Sequence, residues 1–298
     1  FKQKTAYEIR LSLVGSEMCI RDRPCSSGWV VKLQNQATAA ATPAYEELAS
    51  NLPTQSVLGI DESPHKEARL KSWLWTFVAN TYTLFALRTT RAATVLDELL
   101  TKNYKGVVNC DRAKMYWKIG RPQWCWAHLK RDFQALIDHP DPQVKRLGRD
   151  LMRPTKELFR HWARCRDGTV TRAKTLQLMQ PIRKTIDSLL LRGAFSENPR
   201  LVGMCNELSN HRDWLWTFLD VKGVEPTNNV SERALRPAVI WRKLSFGTQS
   251  ARGSRFVETI LTVVETCRRQ SRNSFQFLTE AVTAHFEGKP APSLLTGV

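Results

Sequence analysis

Three carboxylates stand where short ordered elements are expected to begin or end. Asp61 closes the apolar run Ser56–Asp61 (SVLGID), Asp111 closes Gly106–Asp111 (GVVNCD), and Glu232 follows Asn229 by three residues in a stretch with helical spacing. Carboxylate oxygens are hard ligands that suit Mg²⁺ or Mn²⁺. Two such ions about 4 Å apart can clamp the attacking and leaving oxygens of an in-line phosphoryl displacement. Each residue also has a plain structural role open to it. Asp61 can start a Ser-Pro turn, Asp111 can be a helix N-cap, and Glu232 can be the reciprocal partner in a capping-box-like helix start. The set is sufficient for metal-assisted phosphoryl chemistry, while no single member is diagnostic.

Other residues around these carboxylates carry chemistry of their own. Cys125-x-x-His128 has one half of a zinc spacing, but no second pair stands at ligand distance in sequence, and a structural zinc site needs four ligands. The segment reads better as lying beside the carboxylates, with His128, Lys130 and Arg131 near a scissile phosphate; a solvent-facing helix is the alternative. Arg233, Arg236, Arg242 and Lys243 flank Glu232 and read as contacts to a DNA backbone, against simple helix-surface charge. Of the ten tryptophans, Trp73 and Trp75 alternate as strand core residues do, while Trp214 and Trp216 fit either core or base stacking.

The elements that must position these groups follow from periodicity. Ser56–Asp61 predicts a buried strand that stops in the turn-prone Glu62-Ser63-Pro64, and Ser72–Arg88 predicts two antiparallel strands joined at Asn80-Thr81. A helix over Arg91–Lys102 and a strand over Gly106–Asp111 make a crossover of the length that implies parallel pairing. Asp111 should then cap a helix carrying Met115 and Tyr116, Trp124–Trp126 gives a fifth strand, and His128–Ile137 is helical. From Asp138 to Leu219 the spacing is helical, with breaks expected near Pro140, Pro154, Pro181 and Pro199. A short helix from Asn229 to Arg236, ended by Pro237, precedes a longer one over Gly253–Gln270. Ala37–Ala44 reads as a linker-like Ala/Thr patch, and the tail with Pro290 and Pro292 as frayed.

Acidic residues at the ends of the first and crossover strands, with a third on a helix after a long helical stretch, follow the order found in ribonuclease H-like sheets. The run Glu225-Pro-Thr-Asn-Asn-Val-Ser-Glu-Arg-Ala-Leu-Arg-Pro237, then Trp241-Arg-Lys243 and Gly247-Thr-Gln-Ser250, is long and unusual. With Asp61-Glu62, Asp111 followed by Tyr116, and Cys125-Trp-Ala-His128 before Lys130-Arg131, it resembles the IS-sixty-six family of insertion-sequence transposases from roughly Gly28 to Leu278. Ser63 stands where that family commonly has Thr, and Arg112 where it has Gly. The resemblance implies a DDE-type catalytic core on an α/β, ribonuclease H-like mixed sheet flanked by helices, with an all-helical insertion before the last catalytic residue. It implies Asp61, Asp111 and Glu232 as the ligands of two Mg²⁺ (or Mn²⁺) ions, which serve DNA strand cleavage and strand transfer. Expected partners are double-stranded DNA, as element end and as target, further copies of the chain on that DNA, and accessory transposition proteins. A non-catalytic DNA-binding remnant and a metal-dependent nuclease that cuts without joining are the alternatives.

Composition agrees with a DNA partner without requiring one. Lys and Arg number 45 against 28 Asp and Glu, a net +17. Arg112–Arg166 carries +9 and Ser231–Arg272 carries +6, and a field concentrated in this way favours a polyanion. Seven scattered cysteines without a Cys-x-x-Cys pair fit reduced, cytosolic thiols rather than a disulfide framework, and the resemblance implies a bacterial cytoplasm, near the nucleoid. No apolar run is long enough for a membrane helix. The head Phe1–Arg23 resembles a translated sequencing-adaptor stretch, so the native chain is expected to start nearer Pro24, with little before it to read element ends. The expected divisions are 1–23 as non-native, 24–55 as a linker or helical remnant, 56–137 and 225–278 as the two parts of the core, 138–224 as the insertion, and 279–298 as the tail.

Overall fold

The computed structural model describes residues 26–295, so the head Phe1–Arg23 lies outside the described residues. Five strands form one mixed sheet in the order β3-β2-β1-β4-β5: β1 (Val57–Glu67), β2 (Leu70–Val78), β3 (Thr83–Arg88), β4 (Val107–Cys110) and β5 (Arg121–Trp124). The first three are antiparallel neighbours, whereas β1, β4 and β5 run parallel. The parallel β4 is reached through the crossover helix α2 (Thr94–Leu100), as the sequence spacing requires, while residues 111–120 with one 3₁₀ turn lead on to β5. This mixed sheet flanked by helices is compatible with a ribonuclease H-like fold.

Strand β1 does not stop at Glu62-Ser63-Pro64 but continues to Glu67, with Pro64 opposite Trp73. Strand β4 ends at Cys110, so beyond Asp61 the far edge of β1 has no neighbouring strand, and the N–H that Pro64 lacks is not missed there. Along β1 the side chains alternate. Leu58 and Ile60 enter the main core, while Gly59, Asp61, Ser63 and His65 share the opposite face.

That opposite face carries helix α8 (Asn229–Ser245), a full helix in which the expected terminator Pro237 is an interior residue. Pro154 and Pro181 likewise lie inside α4 (Pro142–Arg166) and α5 (Arg172–Ala194). An interior proline costs roughly 3 kcal/mol. In α4 alone Val144, Leu147, Leu151, Met152, Leu158 and Trp162 are buried, each contributing on the order of 1.5–3 kcal/mol, so packing outweighs the break. The breaks expected near Pro140 and Pro199 do occur, at 138–141 and at 195–198 before α6 (Pro199–Asn210), and a further one falls at 167–171. The helix expected after Asp111 is a single 3₁₀ turn, Lys114–Tyr116.

Helix α3 (Trp126–Ile137) leaves β5, and the short α7 (Thr217–Asp220) returns to it. Trp216 is fully buried and Trp214 packs in a cluster with Trp117, Trp124 and His211, so both serve as core rather than as base platforms. Trp75 is fully buried too, whereas Trp73 is half-buried beneath Lys71 and Arg91.

The Ala/Thr patch 37–44 is no linker. It is the buried middle of α1 (Ser27–Asn51), whose Ala40, Ala41, Ala44, Tyr45 and Leu48 enter the main core against α9 (Ala251–Arg269) and α10 (Ser274–Phe286). Nor is the tail free, since Leu294 is fully buried and Ser293 Oγ donates to both carboxylate oxygens of Glu47.

Helix α9 closes the outer edge of β3 with side chains rather than backbone. The N–H groups of Thr83, Phe85 and Leu87 donate to Thr266 Oγ1 (3.1 Å), Thr262 Oγ1 (2.9 Å) and Glu258 Oε2 (2.8 Å). Every second strand residue thus meets every fourth helix residue, and an edge that would otherwise template another strand is satisfied.

Candidate active site

Asp61 and Asp111 are neighbours by register. Gly59 pairs with Asn109 across the parallel β1/β4 ladder, and two residues further on each chain come Asp61 and Asp111, on the same face. Glu232 reaches this face from the first turn of α8. Helix α8 can approach because β1 has Gly59 there: a Cβ at that position would meet Ser231 Oγ at 2.3 Å and Asn228 Oδ1 at 3.0 Å.

The Glu-Pro-Thr-Asn-Asn motif fastens the helix. Asn228 Nδ2 donates to the Ile60 carbonyl at 2.7 Å, next to Asp61, and the Asn228 N–H donates to Cys125 Sγ at 3.1 Å. Asn109 Nδ2 on β4 donates to the carbonyls of Glu225 (2.7 Å) and Thr227 (3.1 Å), and the Trp126 N–H donates to the Pro226 carbonyl at 2.9 Å. Asn228 is therefore a latch rather than a side-chain cap, and Glu232 is not tied into a capping box. Its Oε1 is buried without a hydrogen-bond partner.

The carboxylates share one electrostatic field. Burial first, then the negative charges of Glu62, Asp111 and Glu232, push the Asp61 carboxyl up to about 7, although the Glu62 N–H donates to its Oδ1 at 3.0 Å. Asp111 Oδ1 accepts from the Ala113 N–H at 2.8 Å. Glu62 on the other side of β1 was not singled out by sequence reasoning. It accepts from the Tyr116 hydroxyl and from Arg91 Nε (2.6 Å), and Arg91 also lies 3.8 Å from Asp111. The signal for it was the Asp61-Glu62 pair followed by Tyr116 five residues after Asp111; Arg91 left no signal. Burial raises the Glu62 carboxyl, against Tyr116 and Arg91, which lower it.

The basic residues divide. His128 Nδ1 and Arg131 Nη2 lie 3.7 and 3.6 Å from Glu232 Oε1, at the site. Burial and the Arg131 charge push the His128 imidazole below its usual value. Lys130 is instead over the Phe159 ring, on the side of α3 that faces α4. Arg242 donates to Ser63 Oγ at 3.0 Å and to the Pro64 carbonyl, so it binds α8 to β1, while Lys243 is exposed beside it. Arg233 and Arg236 line a cleft of about 870 Å³ between α8 and α9, together with Trp241, Arg268 and Arg269. Arg112 ties the end of β4 to Asp132 of α3 (2.7 Å) and Glu207 of α6 (3.1 Å).

Hard carboxylate oxygens, one raised by burial and its neighbours' charge and one without a hydrogen-bond partner, fit a divalent cation. Among the described residues, however, the three-residue set whose ligand atoms all lie within 4.8 Å of one another is Cys125, His128 and Glu232, not the three carboxylates.

Two proteins of Sinorhizobium fredii are similar to this chain. Uncharacterized protein y4qI is 27% identical over 176 residues, 57% of this chain and 32% of its own length. Uncharacterized protein y4jO is 26% identical over 175 residues, 58% and 51% respectively. The chain thus spans about a third to a half of the length of these relatives. The model of the Transposase IS66 family matches residues 21–255, a span that holds the whole sheet, the helices from α1 to α8 and all three carboxylates. A match over more than three quarters of the chain shows the family, and the chain belongs to the IS66 family of transposases.

Proposed function

We propose that this chain carries the catalytic core of a DDE-type transposase that cuts DNA at the ends of an insertion sequence and joins the resulting 3′-hydroxyls to target DNA. The observation that carries the reading is the placement of Asp61 and Asp111 side by side at the ends of the parallel β1/β4 ladder, with the first turn of α8 bringing Glu232 to the same face; burial first, and then the neighbouring carboxylates, push the Asp61 carboxyl up. Asp61, Asp111 and Glu232 are the residues that would hold Mg²⁺ or Mn²⁺. When bound, two such ions supply Lewis acidity for the attacking and leaving oxygens of phosphoryl transfer. The chain itself provides positioning. Asn228 and Gly59 seat α8 on β1 and so fix Glu232, Arg91 orients Glu62 beside Asp111, and Arg131 brings positive charge to the rim where a phosphate would approach. On this reading the sheet is a ribonuclease H-like core, the helices between Asp138 and Val224 are its insertion, and double-stranded DNA, further copies of the chain and accessory proteins are its partners in the cytoplasm.

The test is Mg²⁺-dependent cleavage of a DNA end by the wild type and by Asp61→Asn, Asp111→Asn and Glu232→Gln. Each variant is expected to lose cleavage and joining while keeping its circular dichroism and its affinity for duplex DNA. Retained cleavage in Glu232→Gln overturns the assignment of the third ligand. Joining of pre-nicked ends separates a transposase from a nuclease that cuts only and from a binding remnant.

A further inference from the structure

We propose that Cys125, His128 and Glu232 form a metal site of a second kind that shares Glu232 with the carboxylate set, a three-ligand centre for Zn²⁺ that leaves one position open. Cys125 precedes α3 and His128 lies in its first turn, so the two side chains meet on one face of the helix start. Glu232 is brought to them by the Asn228 latch. The three ligand atoms lie within 4.8 Å of one another, and Cys125 is fully buried.

The polar atoms lack other partners. His128 Nδ1 and Glu232 Oε1 are both buried without a hydrogen bond. At 3.7 Å they stand too far apart to bond each other. Two donors on one tetrahedral zinc, at about 2.0–2.1 Å each, are roughly 3.3–3.4 Å apart, so a shift of a few tenths of an ångström brings the pair to ligand spacing. The Asn228 N–H pointing at Cys125 Sγ from 3.1 Å is the kind of outer-shell donor that orients a metal-bound thiolate.

Thiolate, imidazole and carboxylate together suit a borderline cation such as Zn²⁺, whereas Mg²⁺ takes oxygen ligands. Three protein ligands with a free fourth position is the pattern of open zinc sites, so the second Cys/His pair that sequence spacing failed to supply is not required. Arg131, 3.6 Å from Glu232, carries a charge that opposes a cation, and its side chain is 65% exposed, so solvent screens it.

The consequence rests on the transposase reading. Glu232 belongs to both sets, so zinc on Cys125 and His128 withdraws a ligand from the carboxylate pocket and competes with Mg²⁺-dependent cleavage.

The test uses the full, reduced, metal-free chain titrated with Co²⁺, a spectroscopic substitute for Zn²⁺. The wild type is expected to show the intense visible bands of tetrahedral cobalt and a sulfur-to-cobalt charge-transfer band, both displaced by Zn²⁺. Cys125→Ser should lose the charge-transfer band, and Cys165→Ser, at another thiol, should keep it. Glu232→Gln and His128→Ala should each weaken Co²⁺ binding at least tenfold. No charge-transfer band in the folded wild type, or a band that persists in Cys125→Ser, overturns the proposal. If Cys125→Ser fails to fold, unchanged Co²⁺ affinity in a folded His128→Ala overturns it equally. Asp61→Asn separates the two readings, because it should leave the cobalt spectrum unchanged whether or not it abolishes cleavage.

Discussion

Asp61 holds its charge at the expense of the metal-free fold. Its carboxyl moves from an ordinary 3.8 up to about 7, so the native state binds the proton more tightly than the unfolded chain does. Stability from this group is full below about pH 4 and is lost as pH rises through 7. At about 1.4 kcal/mol per pH unit, that interval corresponds to at most ~4 kcal/mol. Asp61→Asn, which carries no charge, should therefore raise the melting temperature of the metal-free protein at pH 8 and leave it nearly unchanged at pH 4. Equal effects at the two pH values would contradict the raised Asp61 carboxyl and the burial and neighbouring charge behind it. The ends of short apolar runs made Asp61 and Asp111 legible in the sequence. The partners that each residue finds were not, because the Glu62–Tyr116–Arg91 group and the approach of Cys125 and His128 to Glu232 join elements far apart in the chain.

At the scale of elements, the fit of α8 against β1 decides where Glu232 sits. Gly59→Ala pushes a methyl group against Ser231 Oγ and should cost about 1–3 kcal/mol, with a loss of cleavage larger than the loss of fold. Pairing it with Ser231→Ala should restore part of the stability, since the nearest clashing atom is removed; strict additivity of the two effects would deny the contact. Asn228→Ala leaves the Ile60 carbonyl without its donor and should cost about 1–3 kcal/mol in urea unfolding. Strand number, the β2/β3 hairpin and the parallel return of β4 were legible because alternation and short apolar runs are local signals. The prolines misled for the same reason. Pro154, Pro181 and Pro237 carry a local penalty that buried neighbours from other elements outweigh, and Pro64 sits in a strand whose edge is open there. The α1 face and the anchored tail depend on contacts between chain ends that no local pattern reveals.

Over the whole molecule, charge and sheet edges constrain what can bind and where. The net +17 should make duplex binding fall about a thousandfold between 50 and 200 mM salt if several phosphates are neutralised; a flat response would argue against phosphate contacts. Both sheet edges are already occupied, β3 by α9 and β5 by the segment around α7, where Thr217 Oγ1 donates to the Pro122 carbonyl and the Phe218 N–H donates to Gln123 Oε1, each at 2.7 Å. A further strand therefore finds no free backbone edge along β3. The α9 edge also behaves as a vernier. Four helix residues advance ~6.0 Å and two strand residues ~6.8 Å, so successive rungs drift by ~0.8 Å. The short hydroxyls of Thr266 and Thr262 serve two rungs, and the longer arm of Glu258 takes up the accumulated drift at the third. Glu258→Asp, one methylene shorter, should therefore release the Leu87 rung and loosen the contacts to Arg255 and Arg88, leaving the Thr83 and Phe85 rungs in place. Inserting one alanine between Glu258 and Thr262 turns the Glu258 side of the helix by ~100° against the Thr side, and a scale with so few marks has no second position at which all its rungs align.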